Sequence, residues 1–344
     1  MKRIAIIDTL TLTHEGRIYG HFANTAKQYK TILEHDYDVT IVGGNTYSSY
    51  FENIRKLPFI TDKDDFQNGK FIKRLVLKIK VTLNVFVSII HSYDYYIYQD
   101  GNRNIVAFLL LILSFLRRKV VLIRYTPCEH IEYKFITFSP NKIKQIITSL
   151  EDTKASYPIP SLIVPDYFPT IQSYNEHDIQ YDFVILGTIV EGKDYEDIVK
   201  AISNTKYSLL IAGHWGNKNR LLELMSIKTD NITIIDKYLE QSEYDNFLNS
   251  TRYVVLPYKK ELYTNKSSGV TLEALYAGKP IIAVNNRGYE WIQKQNLGIL
   301  YDNSIAEVME KIEDEGLYNS ITNNIVGFIE DMKSKENDIK TLFT

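Results

Sequence analysis

Short apolar runs alternate along the whole chain with longer segments of mixed polarity. Runs such as DVTIV at 38–42 and YVVL at 253–256 are too short for helices and rich in β-branched residues, and a segment long enough for a helix or loop follows each. This alternation is typical of βαβ units, in which helices cover a parallel sheet. The sequence therefore predicts an α/β fold.

Two arrays of this kind follow one another. The first has strand patterns at 4–8, 38–42, 95–99, 120–124 and 135–138, and helix patterns at 22–33, 71–90, 105–117 and 142–150. The second has strand patterns at 182–187, 207–212, 232–235, 253–256 and 280–284, with a helix pattern at 270–277. Two arrays in 344 residues indicate two domains.

Prolines mark the boundary between the arrays, because four of the nine stand at positions 158, 160, 165 and 169. Such a segment is stiff and extended. The sequence predicts an N-terminal Rossmann-like domain at 1–165, a linker at 166–180, a C-terminal Rossmann-like domain at 181–328, and a helix at 329–344 that packs back on the first domain. Two doubly wound domains joined in this way face each other across a cleft, where ligands of such folds bind.

Composition excludes several classes of function. Forty Lys and Arg against 42 Asp and Glu leave a net charge of −2, so no nucleic-acid partner is expected. The single cysteine, Cys128, excludes a disulfide framework and fits a reducing compartment. The longest apolar run, at 105–116, has 12 residues, whereas a membrane-spanning helix needs about 20. We expect a cytoplasmic protein, which at most contacts the inner face of the cell membrane.

The segment 257–284, PYKKELYTNKSSGVTLEALYAGKPIIAV, has the features of an anion site. Ser267, Ser268 and Gly269 lead into a helix, and helix N-termini bind phosphate through their amides and dipole. Glu273 lies one turn further, where a carboxylate can accept hydrogen bonds from the two hydroxyls of a ribose. The alternative is that the serines only cap the helix and that Glu273 only complements its dipole.

This segment closely resembles the donor-site signature of retaining GT-B glycosyltransferases, the glycosyl transferases group 1. The resemblance implies a GT-B fold, a nucleotide-sugar donor in the C-terminal domain, and a ribose contact from Glu273. The family's other glutamate, which contacts the donor sugar, corresponds to Asn265, with Glu261 as the nearest carboxylate. Asn265 is therefore a candidate catalytic residue whose amide can still hydrogen-bond a sugar hydroxyl.

A second match to the family is ILGTIVEGKDYEDIVKAI. Gly187 allows a tight turn at the strand end, and Lys193 is expected to reach the donor's diphosphate, although Thr188 stands where the family often has a basic residue. The alternative for Lys193 is a solvated lysine at a helix start. The turns after the next two strands complete the predicted donor site with Gly213, Lys237 and Tyr238.

The first domain carries weaker signals. Its first loop has no GxGxxG pattern, which argues against a nicotinamide enzyme. Polar residues and one glycine after its strands are predicted on the acceptor side: His14, Gly16, Arg17, Asp100 and Arg124. The cluster RYTPCEH supplies Glu129 and His130, which we expect at the reacting centre.

The function implied by the resemblance is transfer of a sugar from a nucleoside diphosphate sugar to an acceptor hydroxyl, with retention and without a metal. The donor is a co-substrate, and no cofactor is expected. The acceptor would be a glycan or a lipid-linked molecule of cell-envelope polysaccharide or oligosaccharide synthesis. The alternatives are another GT-B enzyme, such as a nucleotide-sugar epimerase or an inverting transferase, and a nucleotide-sugar-binding partner without transferase activity.

Residues 70–90 combine five cations with a broad apolar pattern and contain no acidic residue. A helix of this composition can lie in the interface of an anionic membrane, so peripheral membrane contact is one interpretation. The other is an ordinary surface helix whose lysines face water.

Overall fold

The computed structural model describes residues 1–14, 16–18, 22–62, 65, 70–99, 118–125, 143–148, 160–164, 179–187, 192–262 and 268–343. The chain divides into two compact units. Met1–Tyr167 and Ser334–Thr344 form the N-terminal unit, and Phe168–Lys333 form the C-terminal unit.

The N-terminal unit is built on a seven-stranded sheet in which all pairs are parallel. Its described elements are β1 (Arg3–Ile7), β2 (Leu12–His14), β3 (Arg17–Ile18), α1 (Phe22–Leu33), β4 (Asp38–Gly43), β5 (Ile54–Lys56), β6 (Thr61–Asp62), α2 (Phe71–Ile89), β7 (Tyr95–Tyr98), β8 (Lys119–Arg124), β9 (Ile143–Ile147) and β10 (Ser161–Ile163). The sheet order is β10-β9-β8-β7-β1-β4-β5, and β3-β2-β6 form a small second sheet. The central strand β1 is buried from Ile4 to Ile7, as expected for a parallel strand covered on both faces.

The C-terminal unit is built on a second parallel sheet, of six strands. Its elements are β11 (Tyr181–Leu186), α3 (Tyr195–Ile202), β12 (Leu209–Gly213), α4 (Lys218–Ile227), β13 (Ile232–Asp236), α5 (Gln241–Asn249), β14 (Thr251–Leu256), α6 (Gly269–Tyr276), β15 (Ile281–Val284), α7 (Glu290–Lys294), β16 (Gly298–Tyr301) and α8 (Glu315–Thr341). The order β13-β12-β11-β14-β15-β16 places β11 and β14 at the centre. Every strand pair in this sheet is parallel, so the strands end at one edge.

The end of α8 belongs to the N-terminal unit. Phe343 is fully buried there, with its ring centroid 5.2 Å from that of Tyr95. Lys144 donates a hydrogen bond to the carbonyl of Leu342 at 2.6 Å, and Lys340 pairs with Asp36 at 2.7 Å. Apolar burial and polar contacts thus both hold the chain terminus in this unit.

The structure corrects one element and adds others. The predicted helix at 142–150 is wrong, because β9 occupies 143–147 between β8 and β10, and its isoleucines are buried in the sheet. The expected loop after β1 contains the hairpin β2–β3, and β16 had no counterpart among the predicted strands. The predicted helix at 105–117 and strand at 135–138 lie outside the described residues. Within the described ranges, no helix is long and apolar enough to cross a membrane.

Candidate functional site

Three strands of the C-terminal sheet end in close backbone contact. The amide of Gly187, after β11, donates to the carbonyl of Ala212 in β12 at 3.1 Å, and the amide of Lys237 donates to the carbonyl of Gly213 at 3.3 Å. A Cβ on Gly213 would lie 1.9 Å from the carbonyl oxygen of Gly187, so no larger residue fits without a shift of the backbone. Gly187 has a φ of +94°, which also favours glycine. These two glycines let the strand ends approach.

The first turn of α6 lies beside this edge. A Cβ on Gly187 would be 3.8 Å from a methyl carbon of Val270. Ser268 precedes the helix and is 4% exposed, and its side chain makes no capping hydrogen bond. The Ser268 hydroxyl lies 3.2 Å from the hydroxyl of Tyr258 instead. Because Ser268 does not cap α6, its side chain does not compete with an anion for the first amides of the helix.

Lys193 is held against the loop that follows β14. Lys193 forms an antiparallel bridge with Tyr258, the amide of Asp194 donates to the carbonyl of Pro257 at 2.6 Å, and the amide of Lys259 donates to the carbonyl of Gly192 at 3.1 Å. The Lys193 ammonium lies 5.4 Å from the centre of the Tyr258 ring, and the residue is 4% exposed. Burial lowers the pKa of Lys193 to about 8. Lys193 is therefore a buried cation and not a solvated surface lysine.

Arg220 of α4 fixes the backbone at Lys193. Its guanidinium donates to the carbonyl of Lys193 at 2.6 Å and makes two hydrogen bonds, of 2.6 and 2.5 Å, to the carboxylate of Glu196 in α3. The hydrogen bond from Arg220 lowers the pKa of the Glu196 carboxyl. A paired guanidinium of this kind is rigid, so it holds the segment that carries Lys193.

Glu273 is half-buried in α6 and accepts a hydrogen bond from the hydroxyl of Tyr244 in α5. Burial, and then the charge of Glu273, raise the pKa of Tyr244 well above its ordinary value, so the phenol stays a donor. The contact occupies Oε2 of the carboxylate and restrains its orientation. Glu273 is thus oriented before any ligand arrives.

Two aromatic rings stack where β12 and β13 end. The rings of His214 and Tyr238 lie 4.1 Å apart at an angle of 19°, and Tyr238 is 55% exposed. Asp236 accepts from the amide of Trp215 at 3.1 Å and lies 3.8 Å from the imidazole of His214. An exposed ring supported from behind in this way offers a flat surface to a planar ligand.

The structure brings eight of the predicted donor-site residues into the C-terminal unit's strand-end region: Gly187, Lys193, Gly213, Lys237, Tyr238, Ser268, Gly269 and Glu273. Lys237 pairs with Glu243, so its charge is already shared with a carboxylate. Ser267 and Asn265 lie outside the described residues, and Glu261 is exposed in the loop after β14. The predicted donor-binding residues therefore differ in how far their environment suits an anion.

The predicted residues of the N-terminal unit are less concentrated. The backbones of His14 and Arg17 lie opposite each other in the β2–β3 hairpin, and Gly16 forms the turn between them with a φ of +76°. Arg124 ends β8 and is fully buried, and its carbonyl accepts from the amide and the hydroxyl of Thr148 at 2.9 and 3.2 Å. Asp100, Glu129 and His130 lie outside the described residues, as does the side chain of Arg17.

Three supporting residues were missed by the sequence reasoning. Tyr244 orients Glu273, and Tyr258 links Lys193 to Ser268. Asn286 is 8% exposed and donates to the carbonyls of Lys260 and Leu262 at 3.4 and 3.0 Å, which anchors the loop after β14. Tyr258 and Asn286 each closely follow a buried strand, and that position is a sequence signal for a site residue, whereas Tyr244 has no such signal.

Metal ligands are a separate question. Within the ranges that the structure describes, no group of three or more His, Cys, Asp or Glu side chains is arranged to hold a metal ion.

Comparison with known proteins identifies the C-terminal unit. Residues 169–325 match the family model described as glycosyl transferases group 1. No curated protein matches the sequence significantly. The match covers nearly the whole unit, and it includes both segments that carry the resemblance, 185–202 and 257–284.

Solved structures resemble the whole chain at low sequence identity. The Candida albicans trehalose-6-phosphate phosphatase N-terminal domain has a TM-score of 0.69 at 10% identity, covering 99% of this chain and 96% of its own. Anabaena Alr3699/HepE in complex with UDP has a TM-score of 0.65 at 15% identity, covering 99% of both chains. AviGT4, a glycosyltransferase involved in avilamycin A biosynthesis, has a TM-score of 0.60 at 11% identity, covering 99% and 97%.

The structural likenesses establish the fold, and the family match establishes the type of domain. The chain has the GT-B fold, and its C-terminal unit is similar over residues 169–325 to the glycosyl transferases group 1 family, which supports a glycosyltransferase.

Proposed function

We propose that the C-terminal unit binds a nucleoside diphosphate sugar, from which the enzyme transfers the sugar to an acceptor hydroxyl. The observation that carries the proposal is the chain of contacts from buried Lys193 through Tyr258 to Ser268 at the start of α6. It joins a cation to a helix N-terminus, two features that favour a diphosphate.

The diphosphate would lie over the strand ends at Gly187 and Gly213. There the amides at the start of α6 and the ammonium of Lys193 would neutralise the charge that develops on the leaving group. With a pKa of about 8, Lys193 is about nine-tenths protonated at pH 7, and a bound diphosphate would raise that pKa further. Lys237 would contribute only by exchanging its contact with Glu243.

The nucleoside would extend from this point along the same edge. Glu273, oriented by Tyr244, would accept hydrogen bonds from the ribose hydroxyls. The exposed face of Tyr238, backed by His214, would contact the base. UDP is the nucleotide solved with the Anabaena protein, so a uridine nucleotide is the first donor to test.

The reaction would retain the anomeric configuration, with the leaving diphosphate accepting the proton of the acceptor hydroxyl. No cofactor and no metal would be needed, because Lys193 and the helix amides would supply the positive charge. Asn265, Glu129 and His130 are the residues we propose at the reacting centre.

The acceptor would be a glycan or a lipid-linked molecule in cell-envelope polysaccharide or oligosaccharide synthesis, at the cytoplasmic face of the membrane. His14, Gly16, Arg17, Asp100 and Arg124 are proposed to serve the acceptor side. Because Arg124 is fully buried, its part would be to hold the end of β8 and not to contact the acceptor directly.

The test combines nucleotide binding with a panel of labelled donors. We expect UDP to bind to the wild-type chain in calorimetry, and Glu273→Ala to weaken that binding at least about tenfold, since it removes a charged acceptor. Glu290→Ala is the control, because Glu290 is exposed and pairs with Lys294.

The labelled donors distinguish the alternatives. Transfer to acceptor, or slow hydrolysis of one donor, supports a transferase, whereas interconversion of the sugar without acceptor supports an epimerase. Binding with none of these reactions supports a partner protein without its own activity. Undiminished transfer by Glu273→Ala would contradict the site assignment.

A further inference from the structure

Helix α2 carries a row of apolar side chains that face solvent. Six residues at helical spacing form what we call the outer face: Ile72, Leu75, Val76, Ile79, Leu83 and Phe86. Each is 42–73% exposed, although all six are large and apolar. A contiguous apolar row of this size on a helix marks an interaction surface.

The opposite side of α2 is the one that packs on the N-terminal unit. Val81, Asn84, Val85 and Ser88 are buried, and the Asn84 amide donates to the carbonyls of Thr9 and Phe59, both at 2.8 Å. At about 100° per residue, Leu83 points about 200° away from both Val81 and Val85. The packing of α2 therefore turns the outer face away from the side that is buried against the N-terminal unit.

The charged residues of α2 itself are all basic. Residues 70–90 hold five cations and no acidic residue. Around the helix, Lys73 and Lys80 flank the outer face on one side and Lys78 flanks it on the other. Lys73 pairs with Asp65 at 2.5 Å, whereas Lys78 is exposed at the helix surface. An apolar strip between cations is complementary to a layer of anionic headgroups over hydrocarbon.

We propose that the outer face of α2 binds the surface of an anionic phospholipid bilayer, with the helix parallel to the membrane. The six apolar side chains insert at the boundary of headgroups and acyl chains, while Lys73, Lys78 and Lys80 contact lipid phosphates. The helix has 19 residues, which at about 1.5 Å each give a contact about 28 Å long. This membrane contact belongs to the N-terminal unit, whereas the proposed donor site belongs to the C-terminal unit.

The test is cosedimentation of the full chain with vesicles of phosphatidylcholine alone or mixed with phosphatidylglycerol. We expect binding to the mixed vesicles that weakens as salt is added. The triple variant Ile72→Gln, Ile79→Gln, Phe86→Gln should lower the partition coefficient at least about 30-fold, since it removes half of the apolar row. The control is Leu222→Gln, Met225→Gln, Ile227→Gln, which alters three exposed apolar residues of α4 and should change binding less than about twofold.

A second variant tests the charges without touching the apolar row. Lys73→Gln, Lys78→Gln, Lys80→Gln should abolish the preference for phosphatidylglycerol. Circular dichroism and UDP binding should be unchanged in both variants. A negative result for membrane binding can therefore be distinguished from a negative result for the proposed donor site.

Three results would overturn the proposal. The wild-type chain could ignore the mixed vesicles, or the apolar triple variant could bind them as well as wild type does. Alternatively, sedimentation velocity without lipid could show a dimer that this variant dissociates, which would make the outer face a contact between two copies of the chain.

Discussion

The carboxyl edges of the two parallel sheets use polar residues differently. In the N-terminal unit, Asp8 follows β1 and is fully buried, and its carboxylate accepts from the amides of Leu10 and Thr11 at 3.1 and 3.0 Å and from the hydroxyl of Tyr47 at 2.8 Å. These bonds tie the chain to itself. In the C-terminal unit, the corresponding polar residues contact aromatic side chains: Tyr258 lies against the Lys193 ammonium and the Ser268 hydroxyl, and Tyr244 donates to Glu273. The carboxyl edge of the sheet therefore stabilises the chain itself in the N-terminal unit, and it is the proposed ligand site in the C-terminal unit.

The largest expected effect comes from placing a side chain in the narrow space between the ends of β11 and β12. Gly213→Ala places a methyl group 1.9 Å from the Gly187 carbonyl, so the strand ends must separate. We expect UDP binding at least about 100-fold weaker and a stability loss of about 1–3 kcal/mol by denaturant titration. Gly216→Ala is the control, because a Cβ there meets nothing within 4 Å. Wild-type UDP affinity in Gly213→Ala would show that this edge is not where the nucleotide binds.

Lys193 allows a test of charge in the proposed site. Lys193→Met should weaken UDP binding by about 2 kcal/mol and leave uridine binding unchanged, since only the diphosphate requires the cation. Burial lowers the pKa of Lys193 to about 8, and the protonated form binds, so UDP affinity should fall as pH rises above that value.

Lys279 is the matched control for this titration. Its pKa is also lowered to about 8 by burial, but its ammonium donates to the carbonyl of Asn249. Lys279→Met should keep the pH dependence of UDP binding that Lys193→Met loses. If both variants keep it, Lys193 does not contact the diphosphate.

Tyr244 tests whether the orientation of Glu273 matters. Tyr244→Phe should raise the dissociation constant for UDP about tenfold, since a hydrogen bond to a charged group contributes about 1.5 kcal/mol or more. In the background of Glu273→Ala the same change should have almost no effect, because Tyr244 acts through that carboxylate. Tyr207→Phe is the control, as Tyr207 donates to Glu313 in a similar pair elsewhere in the unit. Additive effects of Tyr244→Phe and Glu273→Ala would contradict a positioning role.

The smallest effect on ligand binding is expected in the N-terminal unit. Tyr47→Phe removes the hydroxyl that bonds to Asp8 and should cost about 1–3 kcal/mol of unfolding free energy. It should leave UDP affinity within about twofold of wild type. If Tyr47→Phe bound UDP more weakly while its unfolding free energy stayed normal, the proposed difference between the two sheet edges would be contradicted.

The periodicity of the sequence predicts much of the framework of both sheets. The helix at 22–33 coincides with α1, and the strands at 38–42 and 253–256 lie within β4 and β14. Segment 143–147 was assigned to the wrong class, because IKQII is short and its isoleucines fit a buried strand only when β8 and β10 lie beside it. The local sequence pattern does not show which strands will lie beside this segment.

The proposed site is likewise predictable from the sequence only in part. Gly187, Lys193 and Glu273 were proposed because motifs place a glycine, a cation and a carboxylate near strand ends. Their partners arise from the tertiary fold, and Tyr244 meets Glu273 from 29 positions earlier in the chain. The burial that lowers the pKa of Lys193 likewise follows from the pairing of 192–194 with 257–259, which no local pattern indicates.

The most direct test of the account is a crystal structure of the full chain with UDP bound. We predict the diphosphate within hydrogen-bond distance of the Lys193 ammonium and of the amides at the start of α6, with the ribose hydroxyls on Glu273 and the base against Tyr238. UDP bound away from Lys193, Ser268 and Glu273 would contradict the central claim.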